Sequence, residues 1–233
     1  MIQKILITGT NRGLGLAMTK IFLSQSHQIF AIIRRTSDEL QSLQNQYSNQ
    51  LKLYTGDVTD ESSIEQAIQL IGMDTNEIDM LINNSAIIFP ADKTPLENVD
   101  FSVYEPTYAV NAVGPLKVTK HALPLVRAGQ GKRIVNISSE AGSIGDAWRT
   151  SEYAYCMSKA ALNMASRILQ NYVEADGIKV LAVHPGWFSS DMGTSEAPIT
   201  PDEAAAKVVK LLTRPFELKG HMYYDLDGKE MDW

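Results

Sequence analysis

The chain has 233 residues, 44% of them hydrophobic and 21% charged, with a formal net charge of −6. That length suits one large α/β domain with a full core, and the scattered Lys and Arg exclude the basic stripe of a nucleic-acid-binding surface. Cys156 is the only cysteine, which excludes an intrachain disulfide and a thiolate cluster for zinc. The histidines 27, 121, 184 and 221 show no ligand spacing, so no metal is expected.

Strand-like and helical segments alternate along the chain. Strands are predicted at Lys4–Thr8, Gln28–Ile33, Leu51–Thr55, Met80–Asn83, Arg133–Ser138, Lys179–His184 and His221–Tyr224. They are short, rich in β-branched residues or Leu, and show little polar alternation, as parallel strands buried on both faces do. Helices are predicted at Leu14–Ser26, Asp38–Tyr47, Ser62–Ile71, Tyr104–Val126, Ala154–Val173 and Pro201–Leu212. This order predicts a single-domain, Rossmann-type, doubly wound parallel sheet of about seven strands with helices on both faces. Long connections at 85–103, 139–153 and 187–200 follow strand ends, where such sheets bind ligands. No secretory signal precedes the first strand and no apolar run reaches the roughly 18 residues of a membrane span. A cytoplasmic protein is expected.

The first strand runs into Gly9-Thr10-Asn11-Arg12-Gly13-Leu14-Gly15 and then a helix. Glycines in such a turn let backbone approach a pyrophosphate, and the helix N-terminus offers free N–H groups to it. An NAD site usually places an acid on the ribose about 20 residues after the glycines. Here the second strand ends Ile32-Ile33-Arg34-Arg35, with no acid before Asp38. Arg12 and Arg34 suit a 2′-phosphate instead, which favours NADP(H) over NAD(H). Asp57, after the third strand, either accepts from the adenine amino group or serves as a turn or cap residue.

Tyr155 and Lys159 stand four residues apart in a helical segment, so both side chains share one face. A phenol of pKa about 10 becomes a usable acid or base when an ammonium stabilises its anion.

The ordered set Gly9/Gly13/Gly15, Asp57, Asn83-Asn84-Ser85-Ala86, Asn111, Ser138-Ser139, Tyr155/Lys159 and Pro185-Gly186 resembles the short-chain dehydrogenases/reductases over the whole chain. The segment 153–163, His184-Pro185-Gly186-Trp187, Asp191-Met192-Gly193 and the closing Asp227-Gly228 with Trp233 are similar to the C-factor/sniffer-like carbonyl reductase branch. The resemblance implies Tyr155 as proton donor, Lys159 lowering its pKa and holding the nicotinamide ribose, and Ser139 holding the substrate oxygen. It implies that Asn111 sustains a water relay to Lys159 by interrupting regular helix geometry. The cofactor set it implies comprises the Gly9, Asn11, Arg12, Gly13, Leu14 and Gly15 turn, then Arg34, Asp57 and Val58. Asn84 and Ser85 line the adenosine side, and Pro185, Gly186, Phe188 and Ser190 join Tyr155 and Lys159 at the nicotinamide side.

Three departures stand out. Ala86 replaces a family glycine, Ser190 replaces a threonine, and the segment between Ser139 and Tyr155 is longer than usual, which leaves Ser138 a contender for the catalytic hydroxyl. Ile87, Ile88, Phe89, Trp148, Trp187, Phe188 and Met192 either wall an apolar substrate pocket or are ordinary core residues. Arg149 is the candidate partner for a substrate carboxylate. The predicted activity is reduction of a small or medium ketone, aldehyde or quinone. The alternatives are a dinucleotide-binding signalling protein and an NAD-dependent alcohol dehydrogenase. A homodimer through the helices at 104–126 and 154–173 is expected by analogy.

Overall fold

The computed structural model describes residues 2–190 and 196–233. Seven parallel strands form one sheet: β1 (Lys4–Thr8), β2 (Gln28–Ile33), β3 (Leu51–Thr55), β4 (Met80–Asn83), β5 (Arg133–Ile137), β6 (Lys179–His184) and β7 (Tyr223–Asp225). Their spatial order is β3-β2-β1-β4-β5-β6-β7. The order reverses between β1 and β4, in register from Ile5 opposite Met80 to Ile7 opposite Ile82. The crevice beyond the C-terminal ends of those two strands is where such sheets take ligands.

Alternate residues of each strand feed opposite faces. Ile5 and Ile7 join one core with Leu16, Phe22, Leu40, Val208 and Leu212, from helices α1 (Gly13–Ser24), α2 (Asp38–Gln46) and, beyond the undescribed 191–195, the helix Pro201–Leu212. Leu6 joins the other core with Ile64 and Ile71 of α3 (Glu61–Asp74). Helix starts follow local chemistry. Ser37 accepts the Leu40 N–H at 3.2 Å, and Asp60 accepts the Ser62 N–H at 3.0 Å.

The predicted helix Tyr104–Val126 is interrupted. It consists of α4 (Tyr104–Tyr108), a π-turn over Ala109–Val113, and α5 (Gly114–Ala128). Pro115 has no N–H for the Asn111 carbonyl, and the Gly114 N–H bonds five residues back to Ala109. Helix α6 (Tyr153–Val173) begins one residue before the predicted start, and Pro201–Leu212 is α7. The last strand is three residues long rather than the predicted His221–Tyr224, and β5 ends at Ile137 rather than Ser138. No described helix is long and apolar enough to cross a membrane.

Candidate active site

Tyr155 and Lys159 lie one turn apart on α6, with Nζ 5.7 Å from the phenol ring centroid. Lys159 is 2% exposed, and its Nζ donates to the Ile137 carbonyl at 2.8 Å. Burial lowers its pKa to about 7. Burial also pushes the Tyr155 phenol up to about 12, against a hydrogen bond from Ser139 that acts the other way. The expected lowering of the phenol by Lys159 is therefore not seen, because the ammonium turns to a backbone carbonyl and desolvation dominates. A phenol that stays protonated at neutral pH is the form in which it can donate a proton.

The two adjacent serines differ in what they face. Ser138 donates to Asn163 Oδ1 at 2.6 Å, and Asn163 Nδ2 donates to the Gly142 carbonyl at 3.1 Å. Ser139 reaches Tyr155, and its Oγ accepts the Ala141 N–H at 3.2 Å. Asn111 sits in the π-turn, fully buried. Its Oδ1 accepts the Ile87 N–H at 2.8 Å, and its Nδ2 donates to the Ile87 carbonyl at 2.9 Å and to Ser158 Oγ at 3.0 Å. The interruption expected at Asn111 is present, and the same side chain fastens the segment after β4.

The glycine turn packs against the end of β4. A Cβ on Gly15 would lie 2.2 Å from the Gly9 carbonyl oxygen and 2.5 Å from Asn84 Nδ2. Gly13 adopts φ +56° with no atom within 4 Å of where a Cβ would stand, which leaves space beside the α1 N-terminus for a phosphate. Thr10 Oγ1, buried in the same turn, has no partner. These features fit a dinucleotide. Asn84 Nδ2 donates to the Thr8 and Gly9 carbonyls, both at 3.0 Å, so this amide braces the turn. Ser85 and Asn84 both give their N–H groups to Thr8 Oγ1. Asn11 accepts from Ser37 Oγ through its carbonyl at 2.7 Å, tying the turn to α2. Leu14 and Val58 are buried in opposite cores.

Arg34 and Asp57, assigned separately from sequence, meet: a guanidinium nitrogen lies 3.8 Å from Asp57 Oδ2. The other carboxylate oxygen accepts the Thr59 N–H at 2.9 Å and hydroxyl at 2.8 Å. Asp57 is thus a turn residue as well as an ion-pair partner. Ala86 has no positive φ, so the missing family glycine leaves no strain. Pro185 is buried, and Gly186 abuts Leu226, whose Cδ2 lies 2.1 Å from where a Cβ would stand. Phe188 bridges to Ile199 and packs on the first core, and Ser190 lies at the edge of the described chain.

The proposed pocket walls divide. Ile87 packs against the second core, Ile88 and Phe89 are half-buried, and Trp148 and Trp187 are exposed. Asp191, Met192 and Gly193 lie outside the described residues. Arg149 is not free for a substrate carboxylate. Both its terminal nitrogens bond Glu140, one at 2.7 Å, its Nε bonds Glu152 at 2.7 Å, and its guanidinium lies over the Trp148 ring. No metal-holding group of His, Cys, Asp or Glu occurs among the described residues.

Three supporting residues escaped the sequence reading. Asn163 stands four residues after Lys159, a spacing that puts both on one face of α6 and could have signalled it. Tyr223, fully buried on β7, donates its hydroxyl to the Ser139 carbonyl. Asp92, 1% exposed, accepts backbone N–H groups at the start of α6. Neither Tyr223 nor Asp92 has a local pattern that announces a partner so far away in the chain.

Comparison with known proteins agrees with this geometry. The family model described as short chain dehydrogenase matches residues 3–199. A carbonyl reductase from chicken fatty liver, solved with NADPH bound, superposes with a TM-score of 0.89 at 31% identity, covering 100% of this chain and 99% of that one. The carbonyl reductase Sniffer of D. melanogaster gives 0.93 at 28% identity, covering 100% of each. The C-signal protein of Myxococcus xanthus is 32% identical over 159 residues, which is 68% of this chain and 95% of that protein. With the family model spanning most of the sheet and the glycine turn, Ser139, Tyr155 and Lys159 gathered at its C-terminal edge, the chain belongs to the short-chain dehydrogenase family and is an NAD(P)-dependent oxidoreductase.

Proposed function

We propose that the protein uses NADPH to reduce the carbonyl group of a small or medium ketone, aldehyde or quinone in the cytoplasm. The observation that carries this reading is a protonated, half-buried Tyr155 phenol beside the Ser139 hydroxyl, with a buried Lys159 one turn on. A reduced dinucleotide held with its pyrophosphate at the glycine turn would supply the hydride. Ser139 holds the carbonyl oxygen, and Tyr155 delivers its proton to that oxygen as negative charge develops there. Lys159 holds the ribose and returns a proton to Tyr155, with Asn111 keeping the relay side of the π-turn in place. Gly9, Asn11, Arg12, Gly13, Leu14 and Gly15 cradle the pyrophosphate. Asp57, Val58, Asn84 and Ser85 border the adenosine, and Pro185, Gly186, Phe188 and Ser190 border the nicotinamide.

Preference for the 2′-phosphate rests on Arg12 and Arg34 and on the missing acid after β2; three neighbours of this fold were solved with NADPH or NADP bound. We assign the substrate side to segments 85–103, 139–153 and 187–200, of which 191–195 lie outside the described residues. A groove of about 600 Å³ between α5 and α6 lies away from this chemistry. With exposed Leu116, Met164, Ile168 and Tyr172 nearby, it suits the pairing of two copies of the chain.

The test follows oxidation of NADPH and NADH over a panel of ketones, aldehydes and quinones, with Tyr155→Phe as control. Turnover is expected with NADPH and is expected to drop at least about 10²-fold in the Phe variant, with NADPH affinity nearly unchanged. An equally active Phe variant rejects the role of Tyr155. A second reading, a dinucleotide-binding signalling protein, draws on the name of the C-signal relative; NADPH binding without turnover on any compound would favour it.

A further inference from the structure

The helix that carries Tyr155 does not cap itself. Its N-cap residue, Glu152, sits in the left-handed region at φ +64° and makes no capping side-chain bond. The Glu152 carboxylate bonds Arg149 instead. An uncapped helix leaves its first N–H groups without intrahelical acceptors, and a buried one left so is costly. Here the acceptors come from more than sixty residues away. Asp92, at the end of the short turn Pro90–Asp92, accepts the Ala154 N–H on Oδ1 at 3.0 Å and the Tyr155 N–H on Oδ2 at 2.8 Å. Its own carbonyl accepts the Glu152 N–H at 2.9 Å. Ala154 and Tyr155 are the second and third residues of the helix, the positions an N-cap side chain ordinarily serves. One of the two bonds is therefore to the backbone of the proton donor itself.

The segment carrying Asp92 is fastened at its other end as well. Asn111 holds both the N–H and the carbonyl of Ile87 from the π-turn. Between these two fixings run Ile88 and Phe89, beyond the C-terminal end of β4. Asp92 thus joins this segment to the first turn of α6 through two side-chain hydrogen bonds.

We propose that Asp92 is a positioning residue for catalysis: a remote N-cap that fixes Tyr155 against Ser139 and ties that geometry to the 85–103 segment. The proposal rests on the reading of Tyr155 as proton donor. The requirement is for two acceptor oxygens, because two N–H groups converge on one side chain. An aspartate meets it, an asparagine offers one acceptor and turns a donor toward the other N–H, and an alanine offers none.

The experiment compares wild type, Asp92→Ala and Asp92→Asn with Val208→Ala, a cavity substitution on the α7 face of the first core. Amide hydrogen exchange reads the cap directly, without reference to turnover. In Asp92→Ala the Ala154 and Tyr155 amides should exchange at least about tenfold faster. Under the panel conditions kcat should fall by about 10- to 100-fold, as a small misplacement of a reacting group does. NADPH affinity should stay within about threefold, and Asp92→Asn should fall between Ala and wild type on both readouts. Val208→Ala should lower the melting temperature yet leave kcat unchanged.

Unaltered amide exchange in both Asp92 variants rejects the cap. Faster exchange with unchanged kcat rejects the positioning role, as does a kcat loss that Val208→Ala reproduces at equal destabilisation. Should Asp92→Ala not fold, Asp92→Asn alone decides by the same two readouts. A wild type that binds NADPH but turns over nothing defeats the reductase reading, while exchange still decides whether the cap exists.

Discussion

Lys159 concentrates the energetic cost of this site in one side chain. It is 2% exposed, its ammonium donates to the Ile137 carbonyl, and burial brings its pKa from 10.5 to about 7. Below about pH 7 both folded and unfolded chains hold the proton, and the folded state bears the full cost of a desolvated charge. Between about 7 and 10.5 the unfolded chain binds the extra proton, so this residue's contribution to stability rises with pH across that window. Lys159→Met should therefore be more stable than wild type at pH 7, by about 1–3 kcal/mol, while losing reductase activity. The gap should narrow by pH 9.5 in urea unfolding, and a gap independent of pH would contradict the assigned burial. The spacing of Tyr155 and Lys159 was legible from sequence because it is local. What they do to each other was not, since desolvation depends on everything packed around α6.

At the scale of elements, the glycine turn and the π-turn show two kinds of legibility. The turn's glycines are readable because spacing alone marks a strand-to-helix connection, yet their reasons differ. Gly15 has a helical backbone and no room: a Cβ would meet the Gly9 carbonyl and Asn84. Gly13 has room and a positive φ. Gly15→Ala should destabilise the fold by about 1–3 kcal/mol, as overpacking does. Gly13→Ala should cost about 1 kcal/mol through its positive φ and in addition weaken NADPH binding, because its Cβ would stand in the space left for phosphate. Urea unfolding and a fluorescence titration of each variant separate the two, and an unchanged NADPH affinity in Gly13→Ala would undo the distinction. The break at 109–113 was anticipated only through the family resemblance at Asn111, and periodicity ran the helix straight through it. Pro115 was its local signal, since the missing N–H falls opposite the Asn111 carbonyl. Arg149 failed as a substrate anchor for a similar reason: nothing in the sequence shows that Glu140 and Glu152 would both converge on it.

Over the whole molecule, six of the seven strands fell within one residue of their predicted bounds, because buried parallel strands declare themselves as short apolar runs. The seventh, three residues long, gives too little pattern to locate. The sheet's switch point brings the glycine turn and the Asn84-Ser85 backbone together, so a dinucleotide there binds the folded chain and not the unfolded one. At a concentration about 100 times its Kd, NADPH should stabilise by about 2.7 kcal/mol, a rise in melting temperature of about 5–10 °C for a chain of this size. NADH at the same concentration should give a smaller rise, and Arg34→Asp should abolish the difference; equal shifts in the wild type would defeat the 2′-phosphate argument.

Tyr223 reaches from β7 across the sheet to the carbonyl of Ser139. A chain emerging from the ribosome presents the glycine turn, the first five strands and the whole of α6 long before that tyrosine is synthesised. The residues of the glycine turn are thus synthesised early, whereas the support under the serine arrives only with the final strand. A chain ended just before β7 would keep the glycine turn, α6 and α7 yet lack the hydroxyl under Ser139, so a translational error at the very end of the message would strike the catalytic serine most directly.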